Sequence, residues 1–180
     1  EQAGEAILAP LADGRLGSAD VPWSGPVALD GNLTTSLLAQ IAASPLFARA
    51  DLRVAPASPG KADRLSPFLA HPSATLYLNL IEARTLGATA YPDAAAAVRD
   101  LAARGARRVC VTDGPLPCAA VLDDATHVLL PPPVTVTRVT GAGDTFMAAH
   151  IAAERAGLRG EPALLRALDA AAAYISGATP

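Results

Sequence analysis

From Val27 onward, short apolar runs alternate with longer stretches of helical spacing, and that alternation predicts β-α-β units around a mainly parallel sheet. The fold class read from the pattern is α/β. Strands are expected at 27–30, 52–55, 75–80, 108–112, 119–122, 127–130 and 134–139. Helices are expected at 34–43 and 61–69, with a short one bearing Glu82. Tyr91-Pro92-Asp93 opens a strong helix to Arg104, because proline suits a first turn and aspartate complements the helix dipole. Two further helices, 142–156 and 162–175, follow an extended Pro131-Pro132-Pro133 connector, and Gly105 and Gly157 mark C-terminal caps.

Residues 1–26 break this rhythm. Pro10, Gly14, Gly17, Pro22 and Gly25 interrupt any period, so an irregular, loop-rich opening segment is expected there, with one domain from 27 to 180. The chain lacks an initiator Met, and with this irregular beginning it is read as a fragment or as starting inside a larger fold.

Composition narrows the function classes. The 180 residues are 51% hydrophobic, enough for one sizeable core. A net charge of −3 with Lys61 as the single lysine offers no basic face for nucleic acid. The apolar stretches are interrupted by Arg, Asp or Pro, so no membrane span is expected, and without a secretory pattern the expected location is the cytoplasm. Cys110 and Cys118 form no metal or redox motif and read as ordinary thiols, and His71, His127 and His150 show no ligand spacing.

The most informative stretch is Val139-Thr140-Gly141-Ala142-Gly143-Asp144-Thr145-Phe146, where a strand is expected to hand over to an apolar helix. Glycines let backbone approach a ligand, and free N–H groups at a helix start form an anion site. A carboxylate in that first turn can take the proton of an alcohol attacking phosphorus, which makes Asp144 a candidate base. The same residues also suit a plain turn with Asp144 complementing the dipole, and both readings stand at this level. Elsewhere, Asn79 and Glu82 alone read as a strand-end cap and a helix charge, and Thr112-Asp113-Gly114 as a common turn.

The string Thr140-Gly141-Ala142-Gly143-Asp144-Thr145-Phe146 resembles the C-terminal signature of the ribokinase-like, PfkB-type carbohydrate and nucleoside kinases. The resemblance implies a three-layer α/β/α sandwich, an anion hole formed by Gly141, Ala142 and Gly143, and Asp144 as catalytic base. Asn79-Leu80-Ile81-Glu82 is similar to the family's Asn-x-x-Glu element, which implies Mg2+ and phosphate positioning by Asn79 and Glu82. Thr112-Asp113-Gly114 resembles its Thr-x-Gly turn, which implies ATP contacts from Thr112 and Gly114. The alanine-rich run from Leu168 resembles the helix lining the adenine pocket, with Asp169 on the adenine side, although helix packing explains the alanines equally well. Within the family, Asp30-Gly31-Asn32-Leu33 and Pro56-Ala57-Ser58-Pro59-Gly60-Lys61 are similar to pseudouridine kinase.

The implied activity is ATP-dependent phosphorylation of a sugar or nucleoside hydroxyl, with pseudouridine as the particular substrate and a homodimer left open. A kinase of another such substrate, or a non-catalytic nucleotide-binding module, are the competing readings. Family members are longer at the N-terminus, where they carry a lid, the first strands and acceptor-binding residues, and the lid and first strands are expected to be missing here. Arg138 stands where many relatives carry an aspartate that helps to bind a monovalent cation, so Arg138 is expected either to replace the cation's charge or to be a plain surface arginine.

Overall fold

The computed structural model describes residue 18 and residues 20–178, so most of the expected irregular opening segment lies outside the described residues. Six strands form one sheet in the order of the chain. They are β1 (Pro26–Asp30), β2 (Asp51–Ala55), β3 (Ala74–Asn79), β4 (Arg108–Asp113), β5 (Leu116–Leu122) and β6 (Ala125–Leu129). Strands β1 to β4 pair in parallel, and β5 and β6 return antiparallel. The α/β, mainly parallel reading therefore holds.

Strand alternation sorts side chains onto two faces. Leu52, Val54, Leu76, Leu78, Val109 and Val111 point into one core, covered by helices α1 (Thr35–Ala43), α2 (Leu80–Gly87) and α3 (Ala94–Ala103) and by a 3₁₀ segment, Pro59–Phe68. Leu38, Ile41, Leu65, Phe68, Val98 and Leu101 are fully buried there, each worth about 1.5–3 kcal/mol in transfer terms. All the parallel connections cross this face, as right-handed crossovers must when strands are laid down in sequence. The opposite face carries Tyr77, Cys110, Cys118, Ala120 and Leu122 against helices α4 (Ala142–Arg155) and α5 (Gly160–Ser176). Both thiols are buried, and burial pushes Cys110 well up and Cys118 to about 12, so neither is a ready nucleophile.

Three expectations change. Residues 134–139 are not a strand: no strand lies beside them, and their backbone bonds instead to Ile175 at the end of α5, leaving Val134, Val136 and Val139 exposed. The segment expected to be helical at 61–69 winds as a 3₁₀ helix that begins earlier, at Pro59. Pro92 lies before α3 rather than in its first turn; Asp93 is the N-cap and accepts from the Ala96 amide at 2.7 Å.

Candidate active site

The C-terminal edge of the parallel strands collects the residues that the sequence singled out. Asn79 ends β3 and Thr112 lies near the end of β4, and the two are direct neighbours across the strand pair. Asn79 then caps α2 by a reciprocal arrangement: its Oδ1 accepts from the Glu82 amide at 2.9 Å while Glu82 Oε2 accepts from the Asn79 amide at 2.8 Å. The plain reading of Asn79 as a strand-end cap is thus correct. Glu82, however, is buried rather than a solvated charge.

Burial raises the pKa of Glu82, the Asn79 bonds oppose the rise, and the nearby charge of Asp144 adds to it. Asp144 is therefore close enough to Glu82 to be felt, although the two are 62 positions apart in the chain. A divalent cation suits such a place, because Glu82 keeps Oε1 outside the capping box and a cation relieves the repulsion between the carboxylates. Among the described residues no cluster of three or more His, Cys, Asp or Glu forms a complete protein cage, so phosphate and water oxygens would supply the remaining ligands.

Gly141 opens α4 with φ +91°, a backbone state that strains any side-chain-bearing residue. Of the three expected anion-hole amides, that of Ala142 is already given to Val139 O at 3.1 Å. The amides of Gly141, Gly143 and Asp144 find no acceptor among the described residues, and the exposed Asp144 stands in the first helical turn beside them. Two of the three expected donors, the amides of Gly141 and Gly143, are therefore free, and that of Asp144 stands in for Ala142's. Phe146 and Met147 bury the next turn against Tyr77's side of the sheet and so hold the helix start in place.

Thr112 is half-buried with its hydroxyl 3.5 Å from Leu78 O, and Gly114 takes φ +55° in the tight turn between β4 and β5 with open space around it. Both sit at the edge shared with Asn79. Asp169 lies on the exposed surface of α5, and no hydrogen bond or ion pair of its side chain joins it to the rest among the described residues. The segments around Asp30 and Lys61 do meet: Lys61 Nζ donates to Asn32 Oδ1 at 2.6 Å, and the Asn32 amide donates to Asp30 Oδ1 at 2.8 Å.

Sequence reading missed the polar network at the other end of the sheet. Glu154 accepts from Arg53 at 2.5 Å and from Arg108, while Arg53 also donates to the Tyr77 hydroxyl at 2.9 Å. Tyr77 then reaches Nδ1 of the fully buried His150 at 2.8 Å. The other ring nitrogen of His150, Nε2, has no hydrogen-bond partner among the described residues. An arginine inside the apolar Leu52–Val54 run and a His-x-x-x-Glu spacing were the available signals. A cavity of about 620 Å³ opens here, lined by Arg49, Arg53, Arg108, Glu154 and Arg159 among others, but it lies at the strands' N-terminal ends, away from Asp144. Burial tends to raise the Glu154 pKa, yet the flanking arginines hold it below the ordinary carboxylate value, so the carboxylate stays charged and paired.

A glycine turn at a helix start, with carboxylates at hand in an α/β fold of mainly parallel strands, is suited to holding an anionic group. The sequence pattern of the pfkB family of carbohydrate kinases matches residues 21–178, and the chain belongs to that family. Among solved structures, a carbohydrate kinase from Agrobacterium tumefaciens is 30% identical with a TM-score of 0.66, over 81% of this chain and 46% of that one. Adenosine kinase from Trypanosoma brucei brucei is 14% identical with a TM-score of 0.73, over 96% and 56%. A phosphofructokinase-2 mutant from Escherichia coli is 20% identical with a TM-score of 0.70, over 87% and 53%. The chain thus spans about half the length of these proteins. No curated protein matches it. Among the described residues, no helix is long and apolar enough to cross a membrane.

Proposed function

We propose that the protein transfers the γ-phosphoryl group of ATP to a hydroxyl of a sugar or nucleoside. The observation that carries this reading is the start of α4, where the amides of Gly141, Gly143 and Asp144 find no acceptor among the described residues and the Asp144 carboxylate, whose charge reaches Glu82, stands in the same turn. Free amides at a helix N-terminus stabilise the charge that develops on the transferring group, and Asp144 takes the proton of the attacking alcohol. Thr112 and Gly114 contact the ATP phosphates and ribose from the same strand edge, and Asp169 faces the adenine side. Mg2+, held by Glu82 and Asn79 through water, neutralises phosphate charge when bound. The protein acts on small molecules, in the cytoplasm, without nucleic acid or membrane, as a monomer or homodimer.

Pseudouridine is the proposed acceptor. Its support is the meeting of Lys61 with Asn32, which joins the two segments whose resemblance suggested it.

The test is ADP release from Mg-ATP by full-length protein against pseudouridine, uridine, adenosine, ribose and fructose phosphates. Turnover with pseudouridine alone supports the whole proposal. Turnover with another acceptor keeps the kinase and discards the substrate. ATP binding without any turnover favours a nucleotide-binding module instead.

A further inference from the structure

The segment that delivers the chain to the glycine turn is held in an unusual way. Residues 131–140 belong to no strand or helix. Among the described residues, apart from the Ala142 amide's bond to Val139 O at the start of α4, every hydrogen bond tying them to another element runs to Tyr174 or Ile175. The Thr137 amide and hydroxyl donate to Ile175 O at 2.8 and 3.0 Å, and the Arg138 amide donates to the same oxygen at 3.2 Å. Arg138 Nε donates to Tyr174 O at 2.7 Å, and its guanidinium carbon lies 3.9 Å from the Tyr174 ring centroid. The Tyr174 hydroxyl then donates to Thr140 O at 3.0 Å, one residue before the turn.

Chemically, this is a cation seated on the C-terminal end of α5. The last carbonyls of a helix carry the negative end of the dipole, so a guanidinium there meets a favourable field, and it adds a second bond to Tyr174 O, which also accepts from the Gly177 amide at 3.2 Å. Its flat face adds attraction to the tyrosine ring. Tyr174 is thereby fixed at both ends: its carbonyl by Arg138, its hydroxyl by the turn.

From this geometry we infer that Arg138 is a positioning residue for the turn at Thr140 to Gly143, acting through Tyr174. It does not touch the transferring group. It sets where the amides of Gly141 and Gly143 and the carboxylate of Asp144 stand, and only its kinetic consequence rests on the proposed phosphoryl transfer.

The test uses full-length Arg138→Met and Tyr174→Phe. Hydrogen exchange at the Ala142 and Thr145 amides, which bond to Val139 O and Gly141 O, reports on the turn without any substrate. Both variants are expected to speed exchange at these amides while leaving α3 unchanged. With the acceptor that turns over, kcat should fall about tenfold to a hundredfold at little change in the KM for ATP, because a misplaced donor set costs rate rather than ground-state binding. Added guanidinium ion should restore part of the rate to Arg138→Ala and none to Tyr174→Phe. Unchanged exchange at both amides in Tyr174→Phe, a variant that keeps the ring, would overturn the inference. So would a normal kcat in both variants. If the wild-type protein turns over no acceptor, the kinase reading fails while the exchange result still decides the clamp.

Discussion

A Cβ placed on Gly141 would stand 2.6 Å from the Tyr174 hydroxyl, whereas one placed on Gly143 meets nothing within 4 Å. The two glycines of the turn are therefore required for different reasons. Gly141 combines φ +91° with this collision, so Gly141→Ala should lose about 1–3 kcal/mol of stability together with activity. Gly143→Ala should melt like the wild-type protein yet turn over at least about tenfold more slowly, since its methyl would intrude only when a phosphoryl group arrives. Thermal melting and initial rates on both variants check this; equal loss of stability would remove the distinction.

Asp144→Asn keeps the size of the side chain and the helix start but cannot accept the alcohol's proton. Turnover should fall by about a hundredfold or more while ATP affinity, read by titration calorimetry, stays close to wild type. Retained turnover would remove Asp144 as the base.

His150 carries a pH prediction. Burial lowers its pKa to about 4, with the charge of Glu154 opposing and Arg53 and Arg108 reinforcing the shift. The folded state therefore resists a proton that the unfolded chain accepts below its ordinary value of about 6.5. The stability this provides is complete above that value and is lost as the pH falls toward 4, on the order of 3 kcal/mol in all. Urea midpoints measured from pH 7 down to pH 5 should fall in the wild type and flatten in His150→Phe. Glu154, whose pKa is also depressed, adds to the loss at still lower pH and remains in the variant.

Arg138 also bears on salt. Its guanidinium already bonds the Tyr174 carbonyl in the last turn of α5, and an added potassium ion would be repelled. Rates in potassium chloride and in tetramethylammonium chloride at equal ionic strength should agree within about twofold. A strong potassium requirement would count against the arginine's replacing a cation.

The strands and helices that sequence revealed are those whose local pattern agrees with their packing. Leu52 and Val54 alternate with Arg53, and Val109 to Val111 are β-branched or small and buried. Residues 134–139 show the limit: Val134, Val136 and Val139 have strand-like composition, but a strand exists only beside another, and among the described residues the amides of Thr137 and Arg138 donate to the Ile175 oxygen rather than to a strand. The glycine turn was legible because its Thr-Gly-Ala-Gly-Asp-Thr-Phe string resembles a family signature, whereas the residues alone left a plain turn equally open. Tyr174 was not, since its hydroxyl finds Thr140 across 34 positions and nothing in its neighbours marks that meeting. The shift of the free amides past Ala142 was equally hidden, because it depends on where Val139's carbonyl points.

The sheet's order, in which each strand lies beside its successor in the chain, has a kinetic meaning. Neighbouring strands are separated by no more than 28 residues, so the platform can build itself one strand at a time. Helix α4 is the exception: His150 reaches back 73 positions to Tyr77, and Glu154 reaches 101 to Arg53. Those closures are entropically the most expensive ones, and they find their partners only once β2 and β3 already stand side by side. The segment that carries Asp144 is thus among the last to be secured as the protein folds, and the chemistry is assembled on a finished floor.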